Sequence, residues 1–97
     1  MDHIALARLS FKENNEMITH SETFDNNGTR SIKLYFEKVS DDGEQFDELT
    51  YLYPAERILY CNGYKESEIK QRMIEFRQWA EIAMEVQLER EGETCPA

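Results

Sequence analysis

Carboxylates are the chemistry this chain carries most of. Its 97 residues hold 20 Asp and Glu against 11 Lys and Arg, a formal net charge of −9. Asp41, Asp42, Glu44, Asp47 and Glu48 surround one glycine, Gly43, and Glu75, Glu81, Glu85 and Glu89 recur through the C-terminal third. Acids in such numbers can chelate a cation, move protons, or present negative charge to a basic partner. The first cluster lacks the D-x-[DN]-x-[DN]-G order and the trailing glutamate of a calcium loop. It reads as an acidic hairpin tip, a finger able to dock on a basic surface.

Other chemistries find less support. His3, His20, Cys61 and Cys95 show no C-x-x-C or H-x-x-x-H pair, so no metal site is expected. No G-x-S-x-G elbow and no phosphate-cradling glycine loop occurs. The expectation is a protein that is not an enzyme and takes no cofactor. Leu59 to Arg72 has the outline of a helix-turn-helix, but Glu66, Glu68, Glu75, Glu81 and Glu85 would set an acidic helix against phosphates. Tyr35, Tyr51, Tyr53, Tyr60 and Tyr64 have few lysines beside them, so they read as a core rim and not as base-stacking rings.

Composition sets the outer limits. The chain is 40% hydrophobic, with five Phe, five Tyr and one Trp, enough for a small core in one domain over residues 1–92 with a tail at 93–97. The net charge opposes direct binding to nucleic acid or to anionic membranes. No apolar run approaches the length of a membrane span. The opening MDHIALARLSFKENNE has no basic region followed by an apolar stretch. A cytoplasmic protein with two free thiols is therefore expected.

The elements that position these residues follow from periodicity. Alternation predicts strands over 3–11, 17–24, 31–39 and 45–53. Turn signals lie at Glu13-Asn14-Asn15, Asn26-Asn27-Gly28 and Ser40-Asp41-Asp42-Gly43. Pro54 is read as opening a short helix over Ala55 to Cys61, with Ile58 and Leu59 buried and Asn62-Gly63 as its stop. Ile69, Met73, Phe76, Ala80 and Ala83, at steps of three and four, predict one long helix from Glu66 to Glu91, capped by Gly92. Its start is set by Lys65 or Ser67 as N-cap. The expected class is α+β: a four-stranded antiparallel meander, then a short helix and a long C-terminal helix packed on one face.

That helix carries more apolar residues than one stripe needs. Trp79, Ile82 and Val86 form a second, narrower strip, a candidate contact with a partner or with a second copy. The functional expectation is a small acidic protein-binding module, an inhibitor or regulator that docks on a basic, nucleic-acid-binding partner by charge mimicry. The alternative is a structural, self-assembling protein that dimerises through the long helix.

Overall fold

The computed structural model describes residues 4–10, 15–40 and 43–93. The fold is α+β, an antiparallel sheet followed by one long helix. Its strands are β1 (Ile4–Ser10), β2 (Asn15–His20), β3 (Phe24–Asn26), β4 (Thr29–Val39), β5 (Phe46–Tyr53) and β6 (Arg57–Asn62), and the helix is α1 (Glu66–Glu93). Strand order is β1-β2-β4-β5-β6, with β3 paired to β4.

Local chemistry explains the turns. Asn27 and Gly28 both take positive φ, 52° and 88°, as a two-residue hairpin turn of the favoured twist requires. The second hairpin closes through Ser40 N–H to Gln45 C=O at 2.8 Å and Gly43 N–H to Ser40 C=O at 2.9 Å. Asp41 and Asp42 of that tip, with His3 and Cys95, lie outside the described residues.

The strand expected over 17–24 is interrupted. His20 pairs with Leu34 and Phe24 with Ser31, so one extra residue is accommodated between β2 and β3, as in a β-bulge. Ser21 sits in the gap. Its N–H donates to Lys33 C=O and its hydroxyl accepts from Lys33 N–H, both at 3.0 Å. A side chain thus replaces the ladder acceptor that the bulge displaces.

Ala55 to Cys61 is not a helix. Pro54-Ala55-Glu56 is a turn, with Glu56 at φ 56°, and the chain returns as β6 alongside β5. Pro54 ends a strand as readily as it starts a helix, and Ile58-Leu59-Tyr60 combines a β-branched, an aliphatic and an aromatic residue, which suits a strand. Leu59 falls at a register shift and is exposed, while Ile58 packs against the core. The helix-turn-helix outline disappears with the short helix.

One face of the sheet carries the core. Ile18 of β2, Ile32, Leu34 and Phe36 of β4, and Leu49 and Tyr51 of β5 are buried with Phe76, Ala80 and Ala83 of α1. The Phe36 and Phe76 rings lie 4.4 Å apart, and Tyr51 and Phe76 lie 5.8 Å apart. Ala80 and Ala83, fully buried, have side chains small enough for the helix backbone to approach the strands. Lys65 is the N-cap: its C=O accepts from Ile69 N–H, and Glu68, three residues on, accepts from Lys65 N–H at 2.9 Å. Gly92 does not end the helix in a left-handed turn. The helix continues through it to Glu93, 28 residues in all, roughly 42 Å.

Candidate functional site

Two sets of carboxylates with different surroundings emerge. The first closes the core at the helix start. Glu16 of β2 pairs with Lys38 of β4, and Lys38 with Asp47 of β5, so acid, base and acid form one row across three strands. Glu16 and Lys38 are buried. The first turns of α1 complete the set. Lys38 Nζ donates to Glu68 Oε2 at 2.7 Å and lies 3.7 Å from Asp47. Arg72 grips both oxygens of Glu16, with Nη1 at 2.7 Å from Oε2, and reaches Glu75 through Nε at 3.3 Å. The Tyr64 hydroxyl donates to Glu16 as well. Lys38 also stands 4.9 Å over the Tyr64 ring.

The electrostatics follow from these contacts. Burial raises the Tyr64 hydroxyl pKa, and the hydrogen bond to Glu16 and its charge raise it further against Arg72. Burial pushes the Glu68 carboxyl up, but hydrogen bonds from Lys38 and from Lys65 N–H outweigh it and hold the group below the ordinary carboxylate value. Burial likewise works against the Arg72 cation, and Glu16 and Glu75 overcome it. Gly63 makes room for the set. At φ +95°, any Cβ there would fall 2.0 Å from an Asp47 carboxylate oxygen. Each charge in this set meets an opposite one, so it fastens the helix start to the sheet.

The second set faces away from the core. Glu75, Glu81, Glu85 and Glu89 are exposed on the outward side of α1. Among the described residues no ion pair reaches Glu85 or Glu89. Near the helix end Glu91 differs. It accepts hydrogen bonds from Thr23 N–H at 3.2 Å and from Gln87 Nε2 at 3.1 Å. The hydrogen bond from the Thr23 hydroxyl is the main cause that lowers its pKa, against partial burial.

The described finger residues are distributed over both sides of the hairpin. Asp47 turns to the helix side and joins Lys38, while Glu48 and Glu44 are exposed. The apolar strip is also divided. Trp79 packs against the core, Val86 is half-buried and Ile82 is 47% exposed. Ile74 and Leu88 add exposed apolar area on the same outward side. Among the described residues no three His, Cys, Asp or Glu gather as a metal would need, and no helix is long and apolar enough to cross a membrane.

The Glu16–Lys38–Asp47 row was not read from the sequence. Its only signal is strand register, which alternation within single strands does not supply. No family model, curated protein or solved structure matches the chain.

Proposed function

We propose that the protein is a binding module that docks on a basic surface of a partner protein, as an inhibitor or regulator. The outward face of α1 would take the place of a nucleic acid's phosphates. One observation carries this reading. Glu81, Glu85 and Glu89 recur every four residues on the exposed side of the helix, and among the described residues no ion pair reaches Glu85 or Glu89.

Two physical points support a role beyond solubility. The last turns of a helix favour cations, because the carbonyl end of its dipole is negative. Here Glu89 stands in that region, where Arg90 is the basic residue of the last turn. Helix stability therefore does not account for its placement. Four-residue steps also put successive carboxylates about 6 Å apart along the axis, one per turn. A partner with arginines or lysines at one-turn intervals matches that spacing. Charge of this kind speeds encounter and selects partners.

The test is affinity capture from the native host with the full chain, in parallel with Glu81→Gln/Glu85→Gln/Glu89→Gln. The expected result is a basic nucleic-acid-binding protein, recovered about tenfold less by the variant and released by salt. Equal recovery by the folded variant contradicts the proposal.

A further inference from the structure

On the face of the sheet turned away from α1, Phe46, Glu48 and Tyr60 are exposed, Glu37 is half-buried and Leu52 is buried. Register places Glu37 of β4 directly opposite Glu48 of β5 there. One residue earlier in β5 and one later in β4, on the helix side, the same strands set Lys38 against Asp47. The two faces thus differ: an acid and a base meet on one, two acids on the other. Like charges directly opposite destabilise a sheet, and among the described residues no ion pair reaches Glu37 or Glu48.

Apolar and aromatic side chains frame this pair. Val39 and Phe46 form the next row in one direction, and Tyr35 with Thr50 the next in the other, where Tyr60 pairs with Thr50. Phe46 is 62% exposed and Tyr60 51%. Rings beside paired carboxylates suit a guanidinium, which donates to two carboxylates in its plane and stacks on aromatic faces. A second copy of the chain is a poor occupant, because each copy carries −9.

We propose that this face is a docking surface for an arginine-bearing segment of a partner protein, with Glu37 and Glu48 holding the guanidinium between them. Phe46 and Val39 take an apolar residue beside that arginine, and Tyr60 closes the other side. The surface is separate from the outward face of α1 and shares with it only the sign of the partner's charge.

The probe is a displayed library of random peptides selected against the full chain. Enriched peptides should carry an arginine next to an apolar residue. Their affinity should fall about tenfold or more with Glu37→Gln/Glu48→Gln and change less than about twofold with Glu81→Gln/Glu85→Gln/Glu89→Gln. Amide shifts should map to Glu37, Phe46, Glu48 and Tyr60. Removing a like-charge pair leaves the Gln variant folded, with a Tm equal to or above that of the wild type. The proposal is overturned if no peptide enriches, if enriched peptides lack a basic residue, or if they bind the Glu37→Gln/Glu48→Gln variant within about twofold of wild type. Equal loss in both variants also overturns it, because it reports only general attraction to acid. A failed outcome here leaves the α1 proposal standing, and the reverse holds.

Discussion

The two ends of α1 treat the same side chain in opposite ways. At the start, Glu68 is held by Lys38 at 2.7 Å and by Lys65 N–H, and Arg72 joins Glu16 to Glu75. Towards the end, Glu85 and Glu89 face solvent with no cation in reach among the described residues. Acids near a helix N-terminus are favoured by its dipole, and those near the C-terminus are not. Among the described residues, Glu91 turns back to Thr23 and has partners there. Glutamate at the start of the helix therefore builds the fold. Along the outward side Glu75 still reaches Arg72, while Glu85 and Glu89 supply surface charge that no described residue pairs.

Breaking the first end should have the largest effect. Arg72→Ala leaves Glu16 as a buried carboxylate without its cation, and should cost about 3–5 kcal/mol in urea unfolding. A cost below about 1 kcal/mol, the range of an exposed pair, would place this cluster with the surface charges.

A pH profile sharpens the contrast at smaller amplitude. Glu68 and Glu91 have folded-state pKa values below the ordinary 4.5. Their contribution to stability is present above that pH and is lost as pH falls through the lower folded values. Tyr64 and Tyr51 are raised above 10, by burial first. For Tyr51 the value is about 12, with the Glu56 charge adding to burial. Their contribution is fully present below pH 10 and is lost as pH rises from there through the higher folded values. Thermal scans should show a plateau between these limits. Tyr64→Phe should lower the plateau by about 1–3 kcal/mol, the cost of an unmade hydrogen bond to a charged group, and weaken the alkaline fall. An unchanged alkaline limb in that variant would remove Tyr64 from the account.

How far the sequence foretold this arrangement depends on whether the information was local. The alternation in Ile32, Leu34 and Phe36 marks β4, and the spacing of Phe76, Ala80 and Ala83 marks the buried stripe of α1. Asn27-Gly28 marks its hairpin. Pro54 was ambiguous locally, and the pairing of β6 with β5 decided it. Ser21 looked like one more strand residue, because the bulge it fills exists only relative to β4. The acids were all visible as acids. Which of them meet Lys38 or Arg72, and which meet each other as Glu37 and Glu48 do, depends on register and on contacts up to 56 residues apart in sequence. The outward row Glu81, Glu85 and Glu89 was legible because helical period alone places it.

The most direct test compares two variants of equal charge change by urea unfolding. Glu16→Gln/Glu68→Gln neutralises two acids at the helix start, and Glu85→Gln/Glu89→Gln neutralises two on its outward side. The predicted result is a loss of about 3 kcal/mol or more for the first and no loss for the second. Similar losses in both would mean that the outward glutamates also hold the fold, and would contradict their assignment to a partner.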